Sequence, residues 1–150
     1  LLTTSLIASL TIVSWSGGET IGKFLGAKLI ILTNEKIIGA YIPLFGSLIY
    51  VLIIFYGNIY LILIGLFLLG FATANFFPIV IRIALRKTTD NINTAAANLS
   101  TIGFLGLLIG PAIVGYTSEI FSITTNTQAI SIIWIILFLM FLYTIRNSKL

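Results

Sequence analysis

The chain has 150 residues, of which 59% are hydrophobic and only 8% are charged. A water-soluble domain carries about 25% charged residues, so this composition excludes a soluble globular fold and predicts that lipid is the solvent. The sequence contains no Cys and no His, which excludes disulfides, thiolate nucleophiles, imidazole metal ligands and histidine acid–base chemistry. Its four carboxylates are scattered along the chain. We therefore expect neither an enzyme nor a cofactor or metal site.

The net charge of +4 does not indicate nucleic-acid binding, because the basic residues stand in ones and twos at the ends of apolar segments and form no stripe with exposed aromatic residues. They fall into three groups: Lys23, Lys28 and Lys36; Arg82, Arg86 and Lys87; and Arg146 and Lys149. Lys and Arg are retained in cytoplasmic loops. This pattern predicts a multi-pass protein of the cell membrane with a cytoplasmic C-terminus.

Five apolar segments are predicted to cross the bilayer, since a helical crossing takes about 20 residues. They are residues 6–28, 37–56, 59–81, 95–116 and 129–145. The connections are a cytoplasmic turn at 33–36, the outer turn Gly57-Asn58, a polar cytoplasmic loop at 86–91 and an outer loop at 122–128. The predicted fold class is an all-α polytopic membrane protein. Five crossings place residue 1 outside, and with no initiator Met there we expect a cut inside a longer protein.

The first span combines close-packing residues with a charge. Glycine recurs every four residues at Gly18, Gly22 and Gly26, a spacing that lets two helix backbones approach closely. Glu19 lies well inside the span and can pair with Lys23 four residues later. One hypothesis is that this pair only closes the cytoplasmic end of the helix. The other is that Glu19 couples protons or binds substrate beside Trp15, one turn earlier.

The third span contains an amide next to a helix breaker. Pro78 cannot donate a hydrogen bond to the carbonyl of Ala74, so it predicts a kink. Asn75, Pro78 and Arg82 share one helix face by their spacing. A kinked, amide-bearing segment suits a gate or a hydroxyl-binding site. The alternative is a purely structural kink in which Asn75 bonds a neighbouring backbone group.

The fourth span has two predicted faces. Gly103, Gly106 and Gly110 form a second close-packing face, and Asn98 and Thr101 lie together on another. Such amides and hydroxyls bind sugars and other polyols, with a ring such as Trp15 stacking on the sugar. Because polar groups in hydrocarbon must be satisfied, we expect the first, third and fourth spans to face a cavity and the second and fifth to face lipid. Trp134 and the tyrosines are interpreted as interfacial anchors.

The run from Ser14 to Gly26, SWSGGETIGKFLG, resembles the eighth helix and following loop of major facilitator superfamily transporters. It is most similar to the fucose-permease-like branch of sugar:proton symporters, in which a tryptophan, paired glycines and a Gly-Arg step recur. Phe76-Phe77-Pro78 and the segment 103–115 resemble helices ten and eleven. The chain departs from the pattern at Lys23, where Arg is usual, and at Glu19, where an apolar residue is more common.

The resemblance implies that the chain is helices eight to twelve of twelve: a partial C-terminal six-helix domain without its first helix and without the N-terminal half. It implies transport of a small polar solute such as a sugar by alternating access, coupled to protons, with the lipid bilayer and the missing half as partners. The expected substrate-binding residues are Trp15, Glu19, Asn75, Asn98 and Thr101; the expected coupling or gating residues are Glu19, Lys23, Pro78 and Arg82. The alternatives are an exporter of the same superfamily and a stand-alone five-helix structural or assembly protein.

Overall fold

The computed structural model describes residues 2–88, 91–121 and 123–147, and in these residues the fold is entirely helical. The elements are α1 (Leu2–Leu32), a π-helical turn (Ile37–Tyr41) that continues into α2 (Ile42–Tyr56), α3 (Ile59–Thr73), α4 (Phe76–Arg86), α5 (Ile92–Ile120) and α6 (Ile123–Asn147). The all-α fold class predicted from composition is confirmed.

Four segments of the described residues are long and apolar enough to cross a membrane, and the chain is a multi-pass membrane protein. They are Ile37–Tyr56, Ile59–Arg86, Ile92–Thr117 and Gln128–Arg146. The first of the five predicted spans is not among them. Its helix α1 is 31 residues long, but its Ser, Thr and Gly residues and its Glu19–Lys23 pair lower its hydropathy. A crossing by α1 therefore stays a prediction.

The two connections predicted to lie outside the membrane are both short. At the first, Gly57 has a φ of 69°, the left-handed conformation that glycine adopts without a steric cost. The side chain of Asn58 then caps α3 by accepting a hydrogen bond from the backbone of Tyr60 at 2.9 Å. The second connection was predicted to span 122–128, and that prediction is wrong: α6 begins at Ile123. Its Thr and Asn residues are tolerated inside a helix, and Ser122 lies outside the described residues.

Two prolines explain the two irregular points in the helices. Pro43 has no N–H to donate to the carbonyl of Gly39, and the turn before it widens, so that the Ile42 N–H bonds the carbonyl of Ile37. Pro78 likewise cannot satisfy the carbonyl of Ala74. The third predicted span breaks there, into α3 and α4, and Asn75 leaves the helical conformation with φ −102° and ψ 0°.

The helices α1 and α3 pack face to face and run parallel. An added Cβ at Gly18 would strike the backbone of Phe67, one at Gly22 the backbone of Phe71, and one at Gly26 the side chain of Asn75. The residue numbers of the contact positions therefore increase in the same direction along both helices, as they do in a parallel pair. The helix α2, which lies between them in the chain, packs antiparallel on α3.

Packing is uneven around the bundle. One buried cluster joins α2 to α3 through Tyr50, Ile54 and Leu69, with Trp15 of α1 against it. The interpretation of the tyrosines as interfacial anchors is therefore wrong for Tyr50, which is buried. By contrast, no residue of the span Ile92–Thr117 in α5 is buried. The side of the bundle that α5 borders is the open side, and it holds the candidate site.

Candidate functional site

A cavity of about 480 Å³ lies between α1, the α3–α4 break, α5 and α6. The helix α1 contributes Trp15, Glu19 and Lys23; α5 contributes Ser100, Gly103, Phe104 and Leu107; α6 contributes Trp134; and the break contributes Thr73, Ala74, Phe76, Phe77 and Pro78. The residues of α1 and of α5 are spaced by three and four, which places each set on one helix face. α2 contributes none of these residues, in keeping with the prediction that the second span faces away from the cavity.

The charged part of the cavity is one ion pair on α1. The Lys23 ammonium lies 2.7 Å from a carboxylate oxygen of Glu19, and the side chain of Glu19 is 36% exposed against 57% for Lys23. The i, i+4 spacing on a helix brings these two groups together. The more enclosed member of the pair is the carboxylate, and Trp15 lies one turn away on the same face.

Phe76 and Trp134 form an aromatic wall of the cavity together with Phe138 and Phe141, which contact them. Phe76 stands edge-on to Phe138 with ring centroids 4.8 Å apart and to Phe141 at 5.2 Å, and Trp134 stacks on Phe138 at 5.4 Å. Such ring pairs add stabilisation beyond their buried area. Phe76 is the first residue of α4, so the break at Asn75 is what points its ring at α6. The helix break thus shapes the cavity wall.

Trp134 was interpreted from the sequence as an interfacial anchor, and the structure corrects this. It lines the cavity, so α6 does not face lipid alone. The chain has two tryptophans, and both line the same cavity. The signal that could have revealed Trp134 is the spacing of Trp134, Phe138 and Phe141, which forms an aromatic stripe along one helix face.

Three residues predicted to bind substrate do not line the cavity. Asn75 turns away and donates a hydrogen bond to the carbonyl of Gly22 at 2.8 Å, the structural alternative considered for it. Thr101 is exposed and its hydroxyl donates to the carbonyl of Ala97 at 2.9 Å. Asn98 is also exposed. On the fourth span, Ser100 takes the place that Asn98 and Thr101 were expected to fill.

Arg82 also lies outside the cavity, in a separate ion-pair cluster. It contacts one carboxylate oxygen of Glu35 at 3.1 Å, and Arg86 contacts the other at 3.0 Å. The Glu35 side chain is 20% exposed. This cluster ties the turn after α1 to the end of α4. Sequence reasoning assigned Arg82 a gating role without a partner, because Glu35 lies 47 residues earlier in the chain.

The glycines of the fourth span divide between two environments. An added Cβ at Gly103 would meet the Phe77 ring at 2.6 Å, whereas no described atom lies within 4 Å of one at Gly106 or Gly110. The close-packing face predicted for the three glycines therefore has a partner within the described residues only at Gly103.

The fold and the cavity together define a multi-pass helical membrane protein with a cavity lined by aromatic side chains and one ion pair. Comparison with known proteins finds an uncharacterized MFS-type transporter of Yersinia pestis that is 32% identical over 71 residues. The matched region covers 47% of this chain and 18% of that protein, so the match spans less than a fifth of the length of this relative. No protein-family model matches the chain, and no solved structure matches it.

Proposed function

We propose that this chain is part of a major facilitator superfamily transporter and that its cavity binds a small organic solute during alternating access. The observation that carries the proposal is the cavity of about 480 Å³, in which a carboxylate and both tryptophans converge. Its volume lies in the range of about 300–1,000 Å³ typical of small-molecule sites. The partial similarity to an MFS-type transporter supports it. Within this proposal the rest of the transporter supplies the other half of the site, and the C-terminus is cytoplasmic in the cell membrane.

We also propose proton coupling through Glu19, and the position of the ion pair at the cavity supports it. Protonation would neutralise the carboxylate and release Lys23, which leaves an unpaired ammonium beside the cavity. Binding of a proton and of a solute would then be linked, because both act on the same pair. Glu19 is the sequence neighbour of Gly18, which packs against the backbone of Phe67 in the α1–α3 seam.

The lining of the cavity favours an amphipathic aromatic cation over the sugar expected from the resemblance. Sugars require many hydrogen-bonding groups, yet Asn75, Asn98 and Thr101 lie elsewhere, and the Thr73 hydroxyl is committed to the carbonyl of Leu69 at 2.8 Å. Five aromatic side chains line the cavity, and ring faces attract cations. This favours the exporter alternative within the same superfamily.

A binding experiment separates these solutes, because both tryptophans report on one cavity. The purified chain in detergent is titrated with tetraphenylphosphonium, with tetraphenylborate of the same shape and opposite charge, and with L-fucose, while tryptophan emission is recorded. We expect saturable quenching by the phosphonium ion alone. Glu19→Gln should weaken it about tenfold, and Lys23→Gln should strengthen it, since Lys23 competes for the carboxylate. Glu119→Gln, which removes an exposed carboxylate outside the cavity, is the matched control.

Each result of the titration decides between hypotheses. A response to L-fucose without one to the phosphonium ion would support the sugar transporter. A response to none of the three would refute binding of these solutes by the cavity of this chain alone. For the complete transporter in proteoliposomes, uptake is measured with and without a proton gradient; if Glu19→Gln retains the proton dependence, coupling through Glu19 is wrong.

A further inference from the structure

A second cleft, remote from the first, lies where two neighbouring spans end. Its volume is about 490 Å³, and it is lined by Lys36, Tyr41, Leu142, Tyr143, Ile145 and Arg146. Lys36 immediately precedes the span Ile37–Tyr56, and Arg146 is the last residue of the span Gln128–Arg146. The π-helical turn packs against α6, so both cations lie at the same end of the bundle, at the level where hydrocarbon gives way to headgroups.

The cleft carries two positive charges and no described carboxylate. Glu35 precedes Lys36 in sequence, but each of its oxygens is taken by an arginine, Arg82 or Arg86. Neither Lys36 nor Arg146 forms an ion pair with a described residue. Two adjacent cations without a counter-charge repel each other, and an anion placed between them relieves that repulsion.

The other lining groups match the parts of a phospholipid. The tyrosines Tyr41 and Tyr143 are 47% and 71% exposed, and a tyrosine hydroxyl at the interface donates hydrogen bonds at headgroup depth. Leu142 and Ile145 supply the apolar part of the lining. Arginine binds phosphate oxygens through its planar fork and lysine binds them as a point charge. We propose that this cleft binds the phosphate headgroup of an anionic phospholipid.

The competing explanation is that these residues only anchor the helix ends, as isolated Lys, Arg and Tyr residues do in many membrane proteins. Arg146 alone would satisfy the carbonyl end of α6 without any ligand. Anchoring predicts no preference for one headgroup and no defined stoichiometry. A specific binding site predicts one tightly bound lipid and an affinity that depends on both cations together.

Native mass spectrometry of the purified chain in detergent tests the proposal with phosphatidylglycerol as the probe and phosphatidylcholine as its neutral counterpart. We expect one bound phosphatidylglycerol and binding of phosphatidylcholine weaker by about tenfold. The double variant Lys36→Gln/Arg146→Gln should lose about tenfold to thirtyfold in affinity. The double variant Lys28→Gln/Lys87→Gln, which removes the same charge at exposed positions outside the cleft, should stay within about twofold of the unmodified chain.

Two further measurements distinguish a bound lipid from a bound free anion, and a loss of binding from misfolding. Inorganic phosphate in excess over the lipid should not displace phosphatidylglycerol; full displacement would overturn the lipid as the ligand. Lys36→Arg/Arg146→Lys should keep the preference and the helical circular dichroism of the unmodified chain. Equal loss in the two glutamine double variants, or equal binding of the two lipids, would overturn the proposal. Neither result bears on the aromatic cavity, so the proposed transport function stands or falls separately.

Discussion

Replacing Gly22 by alanine tests whether the α1–α3 seam holds the bundle together. An added Cβ there lies 2.7 Å from the carbonyl oxygen of Phe71 and 2.7 Å from the Cβ of Ala74, about 0.7 Å short of the 3.4 Å at which ordinary van der Waals contact begins. The oxygen belongs to a helix backbone and cannot rotate away. The two helices must therefore separate, and a gap of that size forfeits a quarter to a half of the dispersion energy of each contact it opens. We expect Gly22→Ala to lower the free energy of unfolding by about 1–3 kcal/mol.

The matched control is Gly106→Ala, because no described atom lies within 4 Å of an added Cβ at that position. Alanine is a better helix former than glycine by about 1 kcal/mol, so this variant should be as stable as the unmodified chain or slightly more stable. Unfolding in detergent micelles by increasing dodecyl sulfate is followed by circular dichroism and by tryptophan emission, to which Trp15 in the α1–α3 seam contributes. The reasoning is refuted if Gly22→Ala unfolds at the same dodecyl sulfate concentration as the unmodified chain, or if both alanine variants lose stability equally.

Three further predictions concern single contacts, each measured by the same unfolding assay. Glu35→Gln removes both arginine ion pairs and should lower the free energy of unfolding by about 1 kcal/mol, since the two arginines are half exposed and screened. This loss should shrink in 1 M salt, and a loss independent of salt would contradict an ionic origin. Asn75→Ala removes the 2.8 Å hydrogen bond to the first helix and should cost about 1–2 kcal/mol, whereas Asn98→Ala at an exposed position should be neutral; equal costs would refute the assignment. Phe138→Ala empties a fully buried site and should lower the free energy of unfolding by about 3–5 kcal/mol. Phe104 is 71% exposed, so Phe104→Ala should have little effect. A small effect of Phe138→Ala would mean that the aromatic wall does not stabilise the bundle.

Features that depend on one segment at a time could be predicted from the sequence. Apolar length alone located four spans, because the hydrocarbon thickness fixes how many helical residues a crossing takes. Pro78 located the break in the third span, because a missing N–H acts on the carbonyl four residues earlier whatever surrounds the helix. The Gly57-Asn58 turn was likewise predictable, because a left-handed glycine and a capping amide act within a few residues.

The rotation of each helix about its own axis was not predictable, and this is why Asn75, Asn98 and Thr101 were expected at a cavity that they do not line. In a soluble helix the polar face marks the outside, but here lipid accepts apolar side chains on every face. Asn98 and Ser100 are therefore equally plausible cavity residues by composition, and only the packing of α5 decides between them. Trp134 was missed for the same reason, since an aromatic ring suits both a lipid interface and a cavity wall.

The basic residues show how a shared topological signal conceals different chemical roles. As loop markers all eight are equivalent, since each favours the same side of the membrane. In the structure Lys23 pairs with Glu19 at the cavity, and Arg82 pairs with Glu35 across 47 residues. Lys36 and Arg146 line one cleft and form no ion pair with a described residue. What separates these roles is the position of Glu19 and Glu35, the two carboxylates that pair with cations within the described residues. A cation left without one, at the depth of the headgroups, is where an external anion has most to gain.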